Sequence, residues 1–231
     1  MNRGWFIAGT DTGVGKTRVS RMLLEALARA GQPAVGMKPV ASGCRASQTG
    51  LRSDDAEVLM AASGVKLDYA DVNPYAFAPA IAPHLAAQEL GVEINLPIIL
   101  ASFQRLQVSS SRVVVEGVGG WRAPLGANHM MADVARALRL PVILVVGLRL
   151  GCLNHALLTV EAIGHDRLPL AGWVANQIDP VMSHVPENIH TLEQCIPAPL
   201  LAQYPYRPPG FSGRETGDFS AATIMHLTPD I

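Results

Sequence analysis

Between residues 9 and 17 the chain reads Gly9-Thr10-Asp11-Thr12-Gly13-Val14-Gly15-Lys16-Thr17. Backbone N–H groups of such a glycine-rich turn cradle phosphate oxygens. A helix starting there adds positive potential, the lysine meets the terminal phosphates, and the threonine hydroxyl binds Mg²⁺. The strict motif has glycine where Thr10 stands, with Gly9 one residue early. The ordinary alternative is a strand-to-helix turn with an incidental lysine, and the Gly-Lys-Thr triplet argues against it. A second cation stands at Lys38-Pro39-Val40-Ala41-Ser42-Gly43. Pro39 biases Lys38 to an extended conformation, which puts the lysine at a strand end facing the loop. Glu116 lies between Val113-Val114-Val115 and Gly117-Val118-Gly119-Gly120, a carboxylate at the tip of a buried strand. Burying it unpaired is costly, so a cation is expected beside it. Nucleotide-bound Mg²⁺ takes one or two carboxylates plus phosphate oxygens, and Thr17, Glu116 and either Asp54 or Asp55 would complete that set.

These residues need strands that end at one place. Residues 5–8, 34–37, 113–115, 142–146 and 172–175 are short apolar runs, expected as strands buried on both faces. Helical spacing follows the first, with Val19, Met22, Leu23, Ala26, Leu27 and Ala30 on one face and Gly31 as the terminating cap. Further helices are expected from Ser53, across 131–138 and across 153–160. Asp54 and Glu57 suit the positive end of the second, so capping is the ordinary role for the acidic pair there. Strand alternating with helix gives an α/β fold, a mostly parallel sheet flanked by helices. Its chemistry belongs at the carboxyl ends of the strands. Residues 205–217, rich in Pro and Gly, read as an irregular loop.

Composition removes several functional classes. The chain has 231 residues, 49% hydrophobic and 16% charged, which fits one domain over 1–231 with a large core. Eighteen basic against nineteen acidic side chains argue against a general nucleic-acid binder. The longest uncharged apolar run, 140–148, falls well short of the roughly 20 residues that span a membrane. No export signal is expected at the N-terminus, and Cys44, Cys152 and Cys195 read as free thiols in a reducing cytoplasm. Only three of the eighteen basic residues are lysines, and two of these, Lys16 and Lys38, fall in the motifs above. The seven histidines form no zinc pairing, there is no Gly-x-Ser-x-Gly elbow, and no cysteine has a neighbouring base. Trp5, Trp121 and Trp173 are expected in packing.

Beyond the loop and the Lys38 segment, the chain carries Gly50-Leu51-Arg52 with Asp55, Val72-Asn73-Pro74-Tyr75, Pro83-His84, and Gly119-Gly120-Trp121 with Pro124-Leu125. It continues with residues 141–147, Leu150-Gly151-Cys152 with Asn154-His155-Ala156, and Gly172-Trp173-Val174-Ala175-Asn176. Taken together, these segments resemble the dethiobiotin synthetase family, and the match spans most of the chain.

The resemblance implies a P-loop NTPase-like fold and a cyclo-ligase of biotin biosynthesis. Its substrates would be 7,8-diaminononanoate, CO₂ and ATP, and its products dethiobiotin, ADP and phosphate. Lys38 and Lys16 would be catalytic. Thr17, Asp55 and Glu116 would hold Mg²⁺, while Thr12 and Ser42 would touch the substrate. The nucleotide would lie against Gly13, Val14, Gly15, Lys16, Thr17 and Arg18, and against Gly117, Val118 and Gly119. Asn176 would read the adenine, with Gln177, Pro205, Tyr206 and Arg207 beside it. Gln177 stands where the family often has an acidic residue. Gly151, Cys152, Leu153 and Asn154, with free N–H groups at a helix start, would grip the substrate carboxylate across a homodimer interface. Two other readings remain: a nucleotide-switch protein of the same fold, and an amide-forming ligase acting on larger acids.

Overall fold

The computed structural model describes residues 3–208 and 218–228. In chain order, β1 is Gly4–Gly9, α1 Lys16–Arg29, β2 Val35–Met37, β3 Val40–Ala41, β4 Arg45–Ser47 and β5 Gly50–Arg52. Next come α2 Asp54–Ala62, α3 Tyr69–Val72, β6 Tyr75–Ala76, α4 Pro83–Glu89, α5 Leu96–Ser109 and β7 Val113–Glu116. The chain continues through α6 Met131–Leu138, β8 Val142–Leu148, α7 Cys152–His165, β9 Leu170–Gln177, α8 Val185–Cys195, β10 Leu200–Tyr204 and α9 Ala221–Leu227. Six strands form one sheet in the order β10-β9-β8-β1-β7-β2, and every pairing in it is parallel. Two small accessory sheets join β3 to β6 and β4 to β5.

Alternating side chains explain why the strands read as continuous apolar runs. Phe6, Ala8, Val113, Val115, Leu144 and Ala175 pack into one core, and Trp5, Ile7, Val114, Val145 and Val174 into another. Residues of α1 and α9 supply the second core, and residues of α4 through α8 the first. The five expected strands and four expected helices are all present. The tryptophans are buried as expected, and Trp121 Nε1 also donates to Asp166 Oδ2 at 2.7 Å.

Helix α1 ends as its sequence suggests, with a refinement of one residue. Ala30 is the cap and Gly31, at φ +72°, follows it. The Gln32 N–H reaches Leu27 O and the Gly31 N–H reaches Ala28 O, the paired bonds of a Schellman turn. Ser53 caps α2, accepting the Ala56 N–H. Strand β10, helices α3, α4, α5, α8 and α9, and the accessory sheets were not expected from the sequence. Of the expected loop at 205–217, residues 205–208 have no regular structure, and 209–217 lie outside the described residues.

Candidate active site

The loop from Gly9 to Thr17 turns β1 into α1, and its geometry is tight. Gly15 sits at φ +92°, and a Cβ there would lie 2.2 Å from Asn176 Nδ2. Only glycine fits, for both conformational and steric reasons. Asn176, in β9, donates through Nδ2 to Val14 O at 2.8 Å and so braces the loop from the end of a strand two places along the sheet from β1. Lys16 Nζ donates to Asp11 O at 2.9 Å and to Gly119 O at 2.7 Å, tying the loop to the segment after β7. Burial, with the nearby Lys38 charge, lowers the Lys16 pKa to about 8, although Glu116, Asp55 and Asp11 oppose the shift.

Lys38 follows β2 directly and is 3% exposed. Its ammonium lies 2.5 Å from Glu116 Oε1 and 2.7 Å from Asp55 Oδ2. Burial works against its charge, but the two carboxylates outweigh burial and raise its pKa. Asp55 mirrors this: burial favours the acid, yet Lys38, Thr17 and Lys16 hold its pKa below the usual value. The Thr17 hydroxyl lies 2.7 Å from Asp55 Oδ1 and 2.9 Å from Glu116 Oε1. The expected trio of Thr17, Asp55 and Glu116 therefore converges, and of the two aspartates Asp55 is the one that joins it. Asp54 points outward and pairs with Arg45 at 3.1 Å. The cation that Glu116 requires is already present as Lys38, so burial alone makes no case for a metal there. A separate observation does bear on one: Glu116 Oε2 is buried without a hydrogen-bond partner.

A cavity of about 680 Å³ opens on this cluster. Thr12, Gly13, Lys16, Thr17, Lys38, Ser42, Asp55, Glu116, Val118 and Gly119 line its polar part. Ala41, Ala80, Ile81, Ala82, Pro83, Ala123 and Pro124 form an apolar wall. Ser42 Oγ is buried there with no partner. Sequence reasoning assigned no role to residues 80–83 and 123–124, because small apolar side chains carry no chemical signal. It also missed Arg149, whose guanidinium pairs with Asp11 Oδ2 at 2.5 Å at the mouth of the loop.

The remaining expected residues fall in two places. Near Asn176, Arg18 Nη1 donates to Asn176 Oδ1 at 3.0 Å and to Pro205 O at 3.1 Å, and its guanidinium lies 4.9 Å from the Tyr204 ring centroid. Gln177 Nε2 donates to Asp179 O, and Tyr206 and Arg207 are half-buried beyond Pro205. Gly151, Leu153 and Asn154 sit apart, at the start of α7. One expectation there is corrected. The Cys152 N–H is not free but donates to Arg149 O at 3.0 Å, because the left-handed Gly151 closes a tight turn. The Cys152 side chain is buried as well. Leu150, beside this turn, is 95% exposed.

A family model described as an AAA domain matches residues 3–210. The chain is 52% identical over 204 residues to a protein of Xanthomonas oryzae pv. oryzae (strain PXO99A) named ATP-dependent dethiobiotin synthetase BioD, covering 88% of this chain and 91% of the relative. A protein of the same name from Xylella fastidiosa (strain Temecula1) is 51% identical over 208 residues, covering 90% of this chain and 92% of the relative. Among solved structures, a ParA family ATPase from Chlorobium tepidum TLS aligns at a TM-score of 0.49 and 14% identity, over 89% of this chain and 85% of that one. On the strength of the two close relatives, the chain belongs to the ATP-dependent dethiobiotin synthetase family.

Proposed function

We propose that the Lys38–Asp55–Glu116 cluster and its cavity carry out the ATP-dependent closure of the dethiobiotin ureido ring, with the whole chain acting as one domain. One amine of 7,8-diaminononanoate adds CO₂ and loses a proton to give a carbamate. The carbamate oxygen attacks the γ-phosphorus of ATP, ADP leaves, and a carbamic–phosphoric anhydride results. The second amine attacks the carbamoyl carbon, expelling phosphate and closing the ring. Because this sequence needs no protein nucleophile, the protein has to supply position and positive charge.

One observation carries the reading. A fully buried ammonium, Lys38, stands beside the loop lysine at the polar end of a cavity whose other wall is apolar. Two anions must meet during phosphoryl transfer, and the buried Lys38 and Lys16 ammonium groups lower that cost. The apolar wall from Ala80 to Pro83 suits an alkyl chain, and the buried Ser42 hydroxyl suits a carbamate or amine. Thr12 lies on the same cavity, where it would meet the reacting end of the diamine.

Thr17, Asp55 and Glu116 fit Mg²⁺. All three offer oxygen, and the orphaned Glu116 Oε2 leaves acceptor capacity. When bound, the ion would neutralise charge on the β- and γ-phosphates. Nucleotide contacts extend along Gly13 to Arg18 and Gly117 to Gly119, with the base toward Asn176, Gln177, Pro205, Tyr206 and Arg207.

The protein works as a homodimer in this reading. Gly151, Leu153 and Asn154 hold the substrate carboxylate across the interface, and exposed Leu150 and Leu158 form part of the contact. No helix among the described residues is long and apolar enough to cross a membrane. Three free cysteines suit a cytoplasmic location.

ADP release measured with and without diaminononanoate plus bicarbonate tests the reading. ADP should form only when both are present. ATP hydrolysis indifferent to the diamine would overturn the assignment in favour of a nucleotide switch.

A further inference from the structure

Lys38 and Asp55 meet at 2.7 Å, yet they arrive on different elements: the end of β2 and the first turn of α2. Fifteen residues of loop and small strands in between are too irregular to set such a distance alone. Behind the pair, outside the cavity lining, a chain of hydrogen bonds joins the two elements. The Ser53 N–H, at the cap of α2, donates to the Tyr69 hydroxyl at 2.6 Å. That hydroxyl donates to Asn73 Oδ1 at 3.0 Å. Asn73 Nδ2 donates to Lys38 O at 2.7 Å and to Tyr75 O at 3.2 Å. The Lys38 N–H, in turn, donates to Val72 O at 2.8 Å.

The short helix α3 and the residue after it therefore hold the Lys38 backbone at both N–H and C=O, and hold the start of α2 through Tyr69. Asn73 is 3% exposed, and both its donor hydrogens and its oxygen are engaged. The Arg52 guanidinium covers the Tyr69 ring at 3.9 Å from the centroid, fixing the phenol's direction. A buried polar network with every member satisfied is rigid and specifies one geometry.

We propose that Tyr69 and Asn73 are positioning residues that set the spacing of Lys38 against Asp55, and so the place of the ammonium over the reacting groups. The proposal rests on Lys38 being catalytic, as argued above. Neither residue touches the substrate in this assignment. Both act through Lys38, where a displacement of about 1 Å can cost up to about 10²-fold in rate.

Tyr69→Phe keeps the ring and its Arg52 contact and deletes only the hydroxyl. We expect kcat to fall about tenfold with the KM for ATP within about twofold, since the phosphate loop lies outside the relay. The decisive comparison is the same substitution in Lys38→Met, followed in single-turnover assays. If Tyr69 acts through Lys38, Tyr69→Phe should cost nothing further in that background. An equal fold-loss in both backgrounds would mean a merely structural role and overturn the proposal, as would unchanged kcat in a folded Tyr69→Phe enzyme. Should Tyr69→Phe fail to fold, Asn73→Ser breaks the same relay at its other end and is judged by the same two criteria. If Lys38→Met itself retained full activity, the catalytic reading of Lys38 would fall first, an outcome distinct from failure of the relay alone.

Discussion

The two ends of the nucleotide site are built differently. At the phosphate end, Thr17, Lys38, Asp55 and Glu116 come from four separate segments and satisfy one another at 2.5–2.9 Å, with Glu116 fully buried and Lys16 beside them on the Asp11 and Gly119 carbonyls. At the base end, Arg18, Gln177, Tyr206 and Arg207 are half-buried, and several of the bonds there run to backbone carbonyls such as Val14 O, Pro205 O and Asp179 O. The phosphate end depends on side-chain charge, so changing one group disturbs all the others. The base end depends largely on main-chain groups, which substitution leaves in place.

That contrast orders the expected effects of mutation. Lys38→Met should lower kcat by roughly 10³-fold while changing ATP affinity little, because its charge acts mainly in the transition state. Lys38→Arg should rescue poorly, since a planar guanidinium does not replace a compact ammonium between two carboxylates. Steady-state assays of both variants check this, and wild-type kcat in Lys38→Met would erase the contrast. Glu116→Gln removes one charge at nearly constant volume and should cost about 10²-fold in metal-dependent turnover. A Mg²⁺ titration with the wild-type profile would remove Glu116 from the metal set.

The third test concerns the distant turn at α7. Lys38→Met and a Gly151→Glu/Asn154→Asp double variant should each be poor alone. After subunit exchange in an equal mixture, half the dimers are mixed and each has one intact site, so about a quarter of wild-type activity should return. Confirmed exchange without recovered activity would refute a site shared between chains. At the base end, Gln177→Ala should change the KM for ATP by no more than about threefold. A loss comparable to that of Lys38→Met would show that the base end is as charge-dependent as the other.

The smallest effect is a pH dependence of stability. Burial raises the pKa of the Cys44 thiol and of the Tyr69 phenol. The unfolded chain releases these protons at about pH 8.5 and 10, before the folded one does. Above pH 8.5 the unfolded state therefore binds fewer protons, and stability falls as pH rises. Tm measured at pH 7.5 and 9.5 should drop less in Cys44→Ala than in the wild type. Parallel drops would assign the loss to other groups.

Much of the phosphate end was legible in the sequence because its chemistry needs particular side chains at particular strand ends. Gly15-Lys16-Thr17, Lys38 before Pro39, and Glu116 after three valines each announce a charged group at the tip of a buried run. What stayed hidden is equally physical. Strand β10 is five residues with no alternation to mark it. Helix α5 exposes Ile98 and Val108, which blurs its apolar face. The partnership of β3 with β6 joins residues 40–41 to 75–76, a pairing that no local pattern encodes. Asn73 stood within a segment shared with the family, but its work is on a backbone carbonyl 35 residues away. The free Cys152 amide was misjudged because the turn at Gly151 closes through Arg149 O, a carbonyl whose direction the sequence does not fix.

Strand β2, which delivers Lys38, is also the outermost strand on its side of the sheet. An outer strand with spare amides is a template on which another molecule's strand can add. Here the Gly36 N–H is taken by Ser63 Oγ at 2.9 Å and the Lys38 N–H by Val72 O at 2.8 Å. Pro39, next in line, has no N–H to offer. Both donors that would recruit a foreign strand are therefore consumed, one of them by the contact that seats the lysine. Edge protection and chemistry share the Lys38 amide, so a variant that loosens Lys38 by freeing that N–H also exposes the margin of the sheet to strand addition, and aggregation would accompany the loss of rate.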